Sequence, residues 1–191
     1  MKYLTRIEKD SMNMFIIMEY EKYMDMFMGI LETIPNDCYD IQFYIVNIIK
    51  NVIDHKNIKS YFYEKKAYTY FMKKINFYRH EANYQKNCFY ILSRIFDDKK
   101  KSYNSDQIDE YLNLLLGMIC EKRNDDLCYY MDVLNYLLKN DNIREKFASQ
   151  HINILENSMN SNLEKNILLI NFCFVLRFQL MRKCQEKLVK I

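Results

Sequence analysis

Among the residues of this 191-residue sequence that could carry metal, nucleophilic or acid–base chemistry are three histidines, His55, His80 and His151. His80-Glu81-Ala82-Asn83-Tyr84 opens like the His-Glu-x-x-His helix of a zinc peptidase, where two imidazoles one turn apart hold the metal. Tyr84 stands where the second imidazole must be, so a ligand is missing. His80 and Cys88 are eight apart, roughly one face of a helix. His55 and His151 fall in polar turns without a sequence-local partner. The six cysteines (Cys38, Cys88, Cys120, Cys128, Cys173 and Cys184) form no Cys-x-x-Cys. Asp97–Asp98 and Asp125–Asp126 are carboxylate pairs at helix ends, where capping and dipole effects account for them. The sequence therefore assigns no catalytic, cofactor-binding or metal-ligating residue, and it implies no cofactor.

Composition narrows the chemistry further. There are two glycines, Gly29 and Gly117, and one proline, Pro35. A phosphate-binding P-loop or a dinucleotide fingerprint needs more glycine in one place. A β-sandwich or barrel needs turn residues at every hairpin. Phe, Tyr, Met, Ile, Asn and Lys abound while Gly, Ala, Arg and Pro are scarce, the signature of AT-rich codons. Abundant Lys and Asn therefore say little about function. The net charge is +3. The short basic runs Lys65–Lys66, Lys73–Lys74 and Lys99–Lys101 are interleaved with acids, which reads as solvated faces and not as a nucleic-acid footprint. The charged start, Met1 to Asp10, has no secretory pattern. The longest apolar stretch, Ile167 to Leu176, is too short for a bilayer span of about 20 residues. With no secretory pattern, the cysteines read as reduced thiols used as small apolar side chains.

The elements left to position anything are helices. Ile41, Ile45, Ile48 and Val52 share one helical face, as do Tyr84, Cys88, Ile91 and Ile95. Ile108, Leu112, Leu115 and Ile119 repeat the pattern, followed by Leu127, Met131, Leu134 and Leu138, and by Leu163, Ile167, Ile170 and Phe174. Breaks are expected at 35–37, 54–57, 77–81, 97–105, 123–126, 140–142 and 157–162. Asn36, Ser105, Asp125 and Asn162 are candidate N-caps.

The chain also repeats itself. Val52-Ile53-Asp54-His55-Lys56-Asn57-Ile58-Lys59-Ser60-Tyr61-Phe62 aligns with Leu137-Leu138-Lys139-Asn140-Asp141-Asn142-Ile143-Arg144-Glu145-Lys146-Phe147, so that Asn57 falls on Asn142 and Phe62 on Phe147. That offset is twice a period of about 42, and HEAT and armadillo units run about 40–47 residues. The expected fold is all-α, an armadillo/HEAT-like right-handed helical solenoid, with residues 1–191 as a single repeat domain and no separate C-terminal domain. Ile58, Phe62, Ile143 and Phe147 should point inward, and Lys59 and Arg144 should face solvent. Exposed side chains of the long helices Tyr84–Phe96 and Leu163–Phe178 are the expected docking surface, since solenoids of this kind bind proteins along their inner helices.

The order of segments resembles the N-terminal, armadillo-like domain of the H subunit of the vacuolar-type proton ATPase (V-ATPase). Three stretches carry the likeness: Phe15–Met18 through Asp40–Ile49 and Asn57–Phe62; Tyr70–Asn76 with Asn87–Phe96 and Ile108–Asn113; and Tyr130–Leu138 with Asn142–Phe147, Ile152–Met159, Asn162–Glu164 and Leu169–Phe178. The chain departs from the family at Glu164-Lys165-Asn166 and Gln179-Leu180, and it has no tryptophan. The resemblance implies a non-catalytic regulatory or structural subunit of a proton-pumping ATPase. Its partners would be other V-ATPase subunits, especially those of the peripheral stalk, and it would lie on the cytosolic face of vacuolar or other acidic-organelle membranes. No nucleic acid, membrane insertion or small-molecule substrate is implied. Three alternatives stand beside it: another armadillo/HEAT-type adaptor or chaperone cofactor, a compact helical bundle, and a helical enzyme.

Overall fold

The computed structural model describes residues 19–97, 105–121 and 125–154. All its elements there are α-helices: α1 (Tyr20–Thr33), α2 (Tyr39–Val52), α3 (Lys56–Glu64), α4 (Tyr68–Phe77), α5 (Ala82–Phe96), α6 (Ser105–Glu121), α7 (Asp125–Leu137) and α8 (Asp141–Gln150). No strand occurs among the described residues. The chain divides into two compact units between Asn104 and Ser105. The expected helix at 163–178 and the candidate cap Asn162 lie outside the described residues.

In the first unit, α1 buries Met24, Phe27, Met28 and Leu31, one helical stripe. It ends before Pro35: Ile34 is extended, as the residue before a proline must be. Asn36 is not the N-cap of α2. Cys38 holds that position without a side-chain bond, and Asn36 bonds instead to the end of α4. The sequence pattern marks no break between Asn57 and Phe77, yet α3 and α4 are separate helices. The stop is a Schellman turn made without glycine. Lys66 has φ +54°, Ala67 N–H donates to the Phe62 carbonyl (3.0 Å) and Lys66 N–H to the Tyr63 carbonyl (3.0 Å).

The centre of this unit is α5, with ten of its fifteen residues buried. It packs on α2, α3 and α4. Two buried amides tie the long helices to the segments before them. Gln42 Nε2 donates to the Pro35 carbonyl (2.9 Å) and Gln85 Nε2 to the Ile75 carbonyl (3.1 Å). Ile75 lies in the last turn of α4, whose carbonyls have no partner within the helix.

In the second unit, α6 packs on α7. Ile108, Leu112, Leu115 and Ile119 are all buried, as are Leu127, Met131, Leu134 and Leu138. Ser105 and Asp125 are the first residues of their helices. The cap at α8 is Asn140, whose side chain accepts the Asn142 N–H (3.1 Å). Arg144 is buried, not solvent-facing. Its guanidinium donates to the Leu138 carbonyl (3.2 Å) and pairs with Asp141, so the planar fork closes the open end of α7. Its counterpart Lys59 is half-buried.

The two units share a pattern. Helices α1, α2 and α3 start at Tyr20, Tyr39 and Lys56; α6, α7 and α8 start at Ser105, Asp125 and Asp141, an offset constant to within one position. Ile58, Phe62, Ile143 and Phe147 are all buried. The long helices recur at half that distance: α2, α5 and α7 start in equal steps at Tyr39, Ala82 and Asp125. Ile45, Val46, Ile49, Val52 and Ile53 of the α2 segment are buried, and so are Cys88, Phe89, Leu92, Ile95 and Phe96, and Tyr130, Met131, Leu134, Leu137 and Leu138. Such a stripe belongs to any amphipathic helix; its recurrence in nearly equal steps is what distinguishes this chain. The segments between the long helices alternate. Two short helices, α3 and α4, lie between α2 and α5, and the single long α6 lies between α5 and α7.

Candidate functional site

His80 is exposed and precedes α5, which begins at Ala82, so it shares no helix face with the fully buried Cys88. Burial pushes the Cys88 thiol far up, as for a thiol that packs as a small apolar side chain. Tyr84, the residue in the place of a second zinc ligand, is fully buried against the rings of Tyr39 and Tyr78. His55 precedes α3 with an exposed side chain. Among the described residues, no group of three or more His, Cys, Asp or Glu side chains is placed to hold a metal ion. Asp97 follows the last residue of α5; its neighbour Asp98 lies outside the described residues.

His151 does have a partner, far back in the chain on α6. The residue is buried, and its Nε2 lies 3.1 Å from Asp109 Oδ1. Lys146 Nζ lies 2.6 Å from the other oxygen. Burial raises the Asp109 carboxyl, but the hydrogen bonds from Lys146 and His151 outweigh it and hold the group below the usual carboxylate range. The first unit has the same construction: Asp25 of α1 accepts from Tyr61 and pairs with Lys65 (3.2 Å) at the end of α3. The hydrogen bonds from Tyr61 and Lys65 lower the Asp25 carboxyl. In each unit, then, a carboxylate on the first helix ties down the third. Each cluster joins the first helix of its unit to the third or the residue just beyond it.

A second polar cluster joins α2 to α5. The Tyr39 and Tyr84 ring centroids are 6.0 Å apart. Lys50 Nζ donates to Asn87 Oδ1 (2.7 Å). Asp54 accepts from the Tyr90 hydroxyl (2.8 Å) and pairs with Arg94 (3.0 Å). Tyr39 at the start of α2 meets Tyr84 in the first turn of α5, and Asp54 just past α2 meets Arg94 in the last turn of α5, so the two long helices lie side by side and parallel. Nearby, the Lys74 amine lies 5.2–5.7 Å from the ring centroids of Tyr70, Phe77 and Tyr78 and donates to Asn36. The Tyr78 hydroxyl donates to the Asn36 carbonyl (2.6 Å). Asn36 thus fastens the α1–α2 turn to α4, which explains why it does not cap α2.

No family model, no curated protein and no solved structure matches this chain. The resemblance to the H subunit of the proton ATPase therefore rests on motif order.

The expected docking surface on 84–96 is overturned. Within α5 only Asn83 is exposed; Tyr84, Asn87, Ile91 and Ile95 are buried. The other expected surface, 163–178, lies outside the described residues. Among the described residues, large apolar side chains are exposed instead at Met26, Ile41, Tyr44, Phe77 and Ile154, and α2 carries two of them one turn apart. Ile41 is 50% and Tyr44 70% exposed, with Ile48 half-buried a turn further on. The sequence stripe Ile41–Ile45–Ile48–Val52 predicts Ile41 inside, and the structure exposes it. Because α2 carries apolar residues at 41, 45, 46, 48, 49 and 52, periodicity alone could not choose its buried face. A helix apolar nearly all round is itself the signal of a second face in need of cover.

Proposed function

We propose that this chain is a non-catalytic protein-docking module built of armadillo/HEAT-like stacked units. Following its motif resemblance, we propose that it docks on the peripheral stalk of a vacuolar-type proton ATPase. The observation that carries the first statement is the parallel contact of α2 with α5, equivalent helices one repeat apart. Stacking of like helices, each burying its stripe on the next, is how a helical solenoid is made. A compact up-and-down bundle instead packs sequential helices antiparallel. The right-handed solenoid and the pump assignment are the finer parts of the proposal, and the pump assignment rests on motif order alone.

In this reading the chain does no chemistry. It would couple or stabilise the assembled pump from the cytosolic side by occupying a stalk surface, while ATP hydrolysis and proton movement belong to other subunits. No helix among the described residues is long and apolar enough to cross a membrane, so attachment would come through its partners.

The test is reconstitution. Purified chain is mixed with recombinant peripheral-stalk subunits from the same organism and run by size exclusion and sedimentation. A stoichiometric complex with a dissociation constant of about 1 μM or tighter supports the pump reading. Failure to bind the stalk, with binding to a purified Hsp70 instead, moves the assignment to a chaperone cofactor. Failure of both with ATP-independent turnover of a small molecule would replace docking with catalysis.

A further inference from the structure

We infer that the Ile41–Tyr44–Ile48 face of α2 is the docking strip for a basic amphipathic helix of a partner protein. The inference rests on the docking-module reading and gives it a place and a chemistry.

The internal repeat supplies the template. Gln42 and Gln85 are both buried, both in the first turn of a long helix, and both bonded back to the segment before it. In that register Ile41, Tyr44 and Ile48 correspond to Tyr84, Asn87 and Ile91. The α5 residues are buried, and the cover over Tyr84 and Asn87 includes α2 itself, through Tyr39 and Lys50. The face that α5 turns to a parallel helix is therefore the face that α2 presents to solvent, with Tyr44 at 70% exposure. The strip continues an interface already used inside the fold, and the shape it repeats is that of a helix lying alongside.

Charge decides which helix. The exposed charged groups on α2 and the turn before it are Asp37 and Asp40, both at the start of the strip. The one cation of α2, Lys50, is turned to Asn87. An apolar strip with an acidic end suits a helix carrying an apolar stripe and lysine or arginine beside it.

The test uses the full chain and a defined probe. A fluorescent helical peptide of leucine and lysine, about 18 residues long with one apolar stripe, is titrated by anisotropy at about 0.15 M salt. A leucine–glutamate peptide of the same pattern is the charge control. Ile41→Ser and Tyr44→Ser are the strip variants, and Phe77→Ser, at another exposed apolar residue (57%), is the surface control. Circular dichroism checks that each variant folds. The basic peptide should bind about ten-fold tighter than the acidic one, each strip substitution should weaken it about five-fold or more, and Phe77→Ser should leave it unchanged. Equal binding of both peptides, or indifference to the strip substitutions, overturns the proposal. So does a concentration-dependent dimer abolished by Tyr44→Ser, which would give the strip to a second copy. Stalk binding that survives the strip substitutions would sink the strip and leave the docking reading standing; peptide binding at the strip without stalk binding would do the reverse for the pump assignment.

Discussion

Phe62 and Phe147 should be worth nearly the same to their two units, although little of the sequence around them is shared. Each lies on the third helix of a three-helix set, and their exposures are 0% and 1%. Truncation to alanine removes a fully buried ring and leaves a cavity, at a cost of about 3–5 kcal/mol. The surroundings refine this. Phe62 loses edge contacts with Tyr61 (5.6 Å between centroids) and Phe71 (6.1 Å). Phe147 loses one ring contact, with His151 (6.2 Å). Aromatic pairs contribute about 0.5–1.5 kcal/mol beyond area, so Phe62→Ala should be the costlier by about 1 kcal/mol. A chain of two compact units need not melt in one step, so native-state hydrogen exchange is the assay. Phe62→Ala should lower protection across α1–α5 and Phe147→Ala across α6–α8, with Phe→Leu at each site recovering most of the loss. A cost below about 1.5 kcal/mol at either position means a ring that is not held in a core. A gap above about 2 kcal/mol means that the two positions are not equivalent, and the repeat would fall with them.

Three further outcomes are expected. Lys66→Gly should raise stability by about 0.5–1 kcal/mol, because a β-carbon at φ +54° is strained and glycine removes that strain at a smaller entropic cost; a lower melting temperature would refute it. Asp109 is held below the ordinary carboxylate range, so its contribution is present above the unfolded value of about 4 and disappears as the pH falls through the depressed folded value. Asp109→Asn should therefore flatten the acid limb of a melting-temperature profile and cost about 1–2 kcal/mol at neutral pH; an unchanged acid limb would show that the bridge carries no stability. Peptide-resolved thiol labelling should modify exposed Cys128 at least about a hundred-fold faster than buried Cys88, with Cys38 and Cys120 between them; early reaction at Cys88 would mean that α5 is not a core helix.

What the sequence made legible was governed by apolar periodicity. The helical stripes of α6 and α7, the inward pairs Ile58/Phe62 and Ile143/Phe147, and the offset between those pairs could be read because burial selects residue type at fixed spacing. The α3–α4 break could not, since lysine at a left-handed position carries no glycine signal. Arg144 looked like a surface residue because its partner, the Leu138 carbonyl, belongs to the backbone and has no identity in sequence. His151 looked isolated because Asp109 belongs to a different helix, two elements earlier in the chain. The exposed strip of α2 was misplaced for a different reason: too many of its positions are apolar for a periodicity to single out one face.

Biased composition complicates any claim of internal repetition, since a chain rich in Ile, Tyr and Asn will match itself by accident. Apolar matches are therefore the weakest support, because any helix with a buried face produces them. The polar matches discriminate better. A buried amide needs a partner, and Gln42 and Gln85 find theirs in the same direction, on the segment just before their own helix. Asp25 and Asp109 hold equivalent places, each flanked by the same buried pattern: Met24, Phe27, Met28 and Leu31 in α1, and Ile108, Tyr111, Leu112 and Leu115 in α6. Each then bridges to the third helix of its set or the residue just beyond it, through Tyr61 and Lys65 in one case and Lys146 and His151 in the other. The partner side chains differ, so the likeness is not inherited from residue frequencies. What is repeated is a geometric need, the fastening of a short third helix to a first, met twice by a carboxylate in one register and by whatever donors the facing turn supplies.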